Sequence, residues 1–332
     1  MLSRVAESLY WMARYVERAE DLTRALAVHF QALLDAPHDD AERGWTSLLA
    51  LTGGKEAFGK HFEQPDDASV CEFFILHPGN ANAVLACIAR ARENARAVRD
   101  QISSEMWEHL NRLYFEVKDK RTSDFTRGPY EFYRQTRDGS QAFQGITHAT
   151  MTHGEAYHFI QLGKHLERAT QTVRLLGVRY ADVNALQDGT AVATLELIAT
   201  LKSCSAFEPF RQTAGSHLGA AEVVEFLLLH RRFPRAVLCS LANCAEALQA
   251  VATASPAARP EKPRQTLGKL CAELEYLDIH EVLGPRMDSF LDGLVSKVHL
   301  VGDEIASTYF STQVILPQSR GARRDQQQQQ QQ

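Results

Sequence analysis

Two stretches of the chain carry the same charged pair in the same helical setting. YVERAEDLTRALAV starts at Tyr15 and HLERATQTVRLLGV at His165, so Glu17, Arg18, Ala19, Arg24, Leu26 and Val28 recur 150 residues later as Glu167, Arg168, Ala169, Arg174, Leu176 and Val178. Guanidinium groups take carboxylates and phosphates in planar, two-pronged hydrogen bonds, and a glutamate beside them either aims the arginine or serves as a general base. Adjacent Glu and Arg side chains diverge on a helix, whereas Arg14 with Glu17 and Arg18 with Asp21 lie three apart and can pair. Arg14 and Arg18 lie four apart and repel unless an anion, or a carboxylate from another helix, stands between them. The expectation is a seam in which both motifs converge through antiparallel or crossed packing. There Glu17 and Glu167 orient Arg18, Arg168, Arg24 and Arg174, and an anion bridges Arg14, Arg18 and Arg168. Ordinary exposed ion pairs, worth about 0–1 kcal/mol each, are the competing account. Tyr10 and Trp11 share the charged face and weigh against it.

The elements that must position these groups read as helices throughout. Apolar residues recur at helical spacing nearly everywhere and alternating strand patterns are absent, so the class is all-α. Long helices are expected at about 3–34, 81–117, 141–178, 219–231, 235–253 and 286–310. On the first, Val5, Leu9, Met12, Val16, Ala19, Leu26 and Phe30 form a core stripe, and Glu7, Tyr10, Trp11, Arg14, Glu17, Arg18, Asp21 and His29 form the opposite face. On the second motif helix the stripe is Phe159, Leu162, Leu166, Ala169, Val173 and Leu176, with Tyr157, Lys164, Glu167, Arg168, Gln171 and Arg174 elsewhere. A third helix buries Val84, Ile88, Ala91, Ala95, Val98 and Ile102 and presents Arg92, Arg96 and Arg99. That face is either solvated and compensated by Glu93 and Asp100, or the third wall of a shared anion cleft. Breaks at 35–44, 118–140 and 253–266 leave neither half with a self-sufficient composition. Residues 1–315 are therefore expected to form one bundle built from two related halves, and 316–332, ending in polyglutamine, a disordered tail.

Other chemistry finds little support. A net charge of −5 gives no global drive toward nucleic acid or an anionic membrane, and neither is expected as a partner. The six cysteines form no C-x-x-C pair and sit mostly in apolar runs, as buried thiols of a reducing compartment do. Glu7 and Glu17 interrupt any signal-peptide core, and no run approaches the ~20 apolar residues of a membrane span, so a cytoplasmic location is expected. TGGKEAFGK at 52–60 lacks the spacing of a phosphate loop and reads as a turn. His148, His153 and His158 are five apart, so that on one helix successive members point about 140° from each other and cannot close on one metal. Glu155 and His158 make one Glu-x-x-His where a di-iron bundle needs two. His29, His61 and His217 are isolated, and serine or cysteine nucleophile elbows are missing. No metal and no cofactor are expected, and catalysis by the chain itself stays open.

Four segments, in order, carry a resemblance. AESLYWMARYVERAE, RENARAVRDQISSEMWEHLN, THATMTHGEAYHFIQLGKHLERATQTVRLL and VVEFLLLHRRFPRAV resemble the signature regions of the alpha-E family, bacterial all-helical proteins named for their Glu-Arg motif. By that resemblance Glu17, Arg18, Glu167 and Arg168 carry the motif, and Trp11, Arg14 and Arg96 fall in matching segments. The family implies context more than chemistry: its members are encoded beside, or fused to, a circularly permuted ATP-grasp protein, often with a transglutaminase-like protease nearby. The implied function is that of a helical partner of an ATP-grasp amide or peptide ligase acting in trans, with the arginine- and glutamate-lined groove holding an anionic group or the partner. Two alternatives stand beside it. One is an enzyme acting on a carboxylate or acyl-phosphate, with Glu17 or Glu167 as general base; the other is a purely structural bundle.

Overall fold

A computed structural model describes residues 1–35, 45–46, 48–50, 52–121, 124–125, 129–184, 190–214, 218–254 and 261–311. The expected tail at 316–332 and His217 lie outside the described residues. Helix α1 spans Ser3–Asp35, and Leu9, Met12, Val16, Ala19 and Leu26 of its apolar stripe are fully buried. The segment read as a turn at 52–60 is a turn followed by a short helix, α2 (Lys55–Gly59). Helix α3 (Asp67–Ile75) starts on a reciprocal cap between Asp66 and Ser69.

The helix expected at 81–117 is two. Helix α4 (Val84–Ala97) ends where Val98 turns to φ −128°, ψ 31°, and α5 (Ser104–Lys118) starts where the Ser103 hydroxyl accepts from the Met106 amide. A serine cap inside an otherwise continuous apolar stripe satisfies an amide that the helix end leaves free. The helix expected at 141–178 also divides, into α6 (Pro129–Thr150) and α7 (Glu155–Asn184), and α6 takes in part of the segment read as a break. There follow α8 (Ala191–Ser203), α9 (Phe207–Ala214), α10 (Ala220–Leu229), α11 (Val237–Ala254), α12 (Lys262–Glu275) and α13 (Met287–Ile305), the last continuing into a π-turn at Ala306–Phe310. No strand occurs among the described residues.

Helices α1 and α7 lie side by side at the centre. Helices α4 and α6 pack on α1, with α5 against both; α11 and α13 pack on α7, with α12 against both. The same order of packing therefore surrounds each motif helix, and α3 meets α4 as α10 meets α11. The two central helices run in the same direction. Gly163 abuts Tyr10, Glu167 meets Arg14, Arg168 meets Glu17 and Arg179 lies beside His29, so partners advance together along both helices. Of the antiparallel or crossed packing expected from sequence, the antiparallel alternative is thereby replaced by a parallel course. Its tightest point is Gly163, where a Cβ would stand 2.1 Å from the Tyr10 carbonyl oxygen, so that only a hydrogen fits. Among the described residues α11 alone is long and apolar enough to cross a membrane, against the expectation that no run comes near it, and half of it is buried within the bundle.

Candidate functional site

Enclosure of α1 on several sides buries the face that the helical wheel set opposite the core. Tyr10, Glu17 and His29 are buried among its neighbours, and so are Glu20 and Arg24. Charges placed there need partners from other helices, because an uncompensated buried ion costs several kcal/mol.

The partners are reciprocal. Arg168 donates from Nε to Glu17 Oε1 at 2.6 Å and from Nη2 to Oε2 at 3.0 Å, while Arg18 donates from Nε to Glu167 Oε1 at 2.7 Å and from Nη2 to Oε2 at 3.0 Å. Each glutamate of one helix thus takes a two-pronged bond from the arginine that follows the glutamate of the other. Arg14 adds a bond from Nε to Glu167 Oε2 at 2.7 Å, with its guanidinium over Trp11 and a second bond to the Tyr10 hydroxyl. The pairs expected within α1, Arg14 with Glu17 and Arg18 with Asp21, give way to these bonds between helices. Glu167 stands between Arg14 and Arg18, and Arg168 is committed to Glu17, so the anion expected between Arg14, Arg18 and Arg168 has its place taken by protein carboxylates.

A second layer surrounds Glu17. Arg235, at the entry to α11, donates from Nη1 to Glu17 Oε1 at 2.9 Å and to Asp21, and from Nη2 to Glu20 Oε1 at 2.6 Å. Arg24 binds Glu20 and Asp21, not Glu17. Gln144 and Gln141 of α6 donate to Glu17 and Glu20. Burial by itself would raise the glutamate pKa values, but Arg168 and Arg235 hold Glu17 well below the usual range, and Arg14 and Arg18 hold Glu167 at about 2. Burial, against the pull of Arg235 and with the help of Glu17, raises Asp21 to about 7. Lys164, the counterpart of Arg14 on α7, is lowered to about 8 by burial and by Arg168.

Beside this network, between α1 and α7, lies a cavity of about 210 Å³. Arg18, Asn82, Gln171, Arg174 and Arg235 form its polar wall with Asp21, and Leu22, Phe74 and Leu175 are among its apolar groups. Asn82 accepts a bond from Arg18 Nη1 at 2.9 Å. Of the residues expected at the site, Arg96 is not brought to it: its side chain is 65% exposed and pairs with Glu93. Arg92 and Arg99 lie over Trp107 on the outside of α4 and α5. The three histidines do not share one helix: the break before α7 brings the His148 and His153 rings to 4.8 Å, and His153 stacks on Tyr157.

Sequence reasoning missed Arg235, Glu20, Asn82 and the two glutamines. For Arg235 a signal existed, because FPRAV lies in the fourth resembling segment; its charge sits just before an apolar helix, where burial is the natural outcome.

Comparison with known proteins agrees with this architecture. The Alpha-E family, described as a predicted alpha-helical domain with a conserved ER motif, matches residues 1–310. Uncharacterized proteins of Mycobacterium bovis and of two strains of Mycobacterium tuberculosis are each 23% identical over 334 aligned positions, covering 95% of this chain and 37% of the relative. The chain thus spans little more than a third of the length of these curated relatives. No solved structure matches.

Proposed function

The chain belongs to the Alpha-E family, and from that premise we propose that it is the helical partner of an ATP-grasp amide ligase, holding an anionic group at the α1–α7 seam. The observation that carries this reading is the cavity where Arg18, Arg174 and Arg235 meet beside the paired motifs. ATP-dependent amide ligation activates a carboxylate as an acyl-phosphate, and guanidinium walls bind carboxylate and phosphate groups alike. The curated relatives hold the matching region as 37% of a longer chain, an arrangement that suits a domain working next to another. A cytoplasmic location and a nearby transglutaminase-like protease belong to the same reading.

One observation weighs against the enzyme alternative. Glu167, held at about 2 by its arginines, is a weak base at neutral pH, and Arg168 and Arg235 likewise hold Glu17 well below the usual range. The motif pairs therefore serve to join the two central helices, and the cavity beside them is where binding takes place. Copurification from the host, followed by assay of ATP-dependent amide formation, tests the proposal. Capture of an ATP-grasp chain whose ligation rate rises when the helical protein is added supports it. A captured set with no ATP-grasp chain, or a ligase indifferent to the addition, defeats it.

A further inference from the structure

The two motif helices differ in charge at one turn. Where α1 carries Glu20 and Asp21, α7 carries Thr170 and Gln171 at the positions 150 residues on. On α1 those carboxylates engage Arg24, three and four residues ahead, and also Arg235. Arg174 is the counterpart of Arg24, and the residues three and four before it are neutral.

The consequence is an imbalance. Around Glu17 three arginines, Arg24, Arg168 and Arg235, together with Lys164, face the three carboxyl groups of Glu17, Glu20 and Asp21. Around Glu167 stand Arg14, Arg18 and Arg174, and Glu167 already accepts from Arg14, Arg18 and Gln171. Arg174 makes no salt bridge among the described residues; its hydrogen bond there is to His299 Nε2 at 3.5 Å. Burial, with Arg18 and Arg14 nearby and against the pull of Glu167, lowers the affinity of Arg174 for its proton, and His299, an imidazole, carries no negative charge in either of its forms. A partly buried guanidinium without a carboxylate gains most from an anion brought to it.

Arg174 opens on the cavity, and so does Arg18. Asp21 faces the same space; Arg24 and Arg235 bind its Oδ1, while its Oδ2 has no hydrogen-bond partner among the described residues and burial raises its pKa to about 7. Asn82 and Gln171 offer neutral amide groups nearby, while Leu22, Phe74 and Leu175 give the space an apolar side. That combination suits an anionic head on a short apolar arm better than a bare ion.

We propose that the α1–α7 cavity binds the carboxylate end of a small ligand, with Arg174 and Arg18 receiving the charge in the manner that Asp21 serves Arg24 on the other helix. This rests on the anion-holding part of the proposed function and names its ligand class. The match is to a carboxylate because a side-chain carboxylate fills the corresponding place on α1.

Calorimetric titration of the full chain with propionate, glutarate and inorganic phosphate, in wild type, Arg174→Gln and Gln171→Asp, tests it. The second variant installs on α7 the carboxylate that α1 already has. The expected result is saturable binding of a carboxylate probe to the wild type, weakened at least tenfold in both variants, with phosphate bound more weakly. Absence of carboxylate binding in the wild type, undiminished binding in either folded variant, or tighter binding of phosphate overturns the inference. Should Arg174→Gln fail to fold, the wild type and Gln171→Asp still decide. Ligase capture without carboxylate binding would defeat this inference and spare the partnership; carboxylate binding without a ligase would do the reverse.

Discussion

Glu17 is fully buried and accepts from Arg168, Arg235 and Gln144. Glu17→Ala leaves two guanidinium groups short of a partner inside the bundle, and a loss of about 3–5 kcal/mol is expected from chemical denaturation. An exposed pair would lose under about 1 kcal/mol, so the measurement separates the two cases cleanly. Glu167 supplies a pH signature. Its folded-state pKa of about 2 lies below the ordinary glutamate value, so the unfolded chain binds the extra proton and stability rises with pH across that interval. The contribution is complete above about pH 4.5 and is lost as pH falls toward 2. Denaturation midpoints from pH 5 downward should therefore fall less steeply in Glu167→Gln than in the wild type, and equal slopes would refute the assignment.

At the level of elements, the α1–α7 contact depends on one missing methyl group. In an exposed helix interior, Gly→Ala gains about 1 kcal/mol from backbone propensity. At Gly163 the added Cβ would press on the Tyr10 carbonyl at 2.1 Å, backbone against backbone, where nothing flexible can give way. Gly163→Ala should accordingly destabilise by about 1–3 kcal/mol or more, with the sign opposite to propensity; a stabilised variant would mean that the helices stand farther apart. The α4–α5 break is a gentler case. Ser103→Ala removes the hydroxyl that accepts from Met106 N and should cost about 1 kcal/mol by thermal denaturation.

For the whole molecule, the reciprocal bonds tie residues about 150 apart into one charge network. Neither 1–153 nor 154–311 alone can neutralise its own motif, since Arg18 needs Glu167 and Arg168 needs Glu17. The intact chain should unfold in one cooperative step. The separated pieces should show none as monomers and recover helical circular dichroism only when mixed or when self-associated. Independent folding of either piece as a monomer would show that the seam is an accessory to two self-sufficient units.

Helical class, the buried stripes of α1, α4 and α7, and the charged pairs of the two motifs were legible in the residues, because apolar periodicity at 3.6 and the chemistry of Glu and Arg are local properties. A resemblance spread over four segments brought the family within reach as well. Tertiary structure alone decided that α1 and α7 run parallel and that the charged faces turn inward. It also joined Glu17 to Arg168 and Arg18 to Glu167 rather than to their own helical neighbours. Arg235 and Asn82 show why: both precede helices distant in sequence, and only the packing of α11 on α7 and α4 on α1 delivers them to the seam. Arg24 and Arg174 hold the same place in the two motifs. Part of their difference lies in the letters, since Glu20 and Asp21 stand one turn before Arg24 and Thr170 and Gln171 one turn before Arg174; only the fold shows that no carboxylate from another helix bonds Arg174 among the described residues, because the field at a charge is a sum over spatial neighbours.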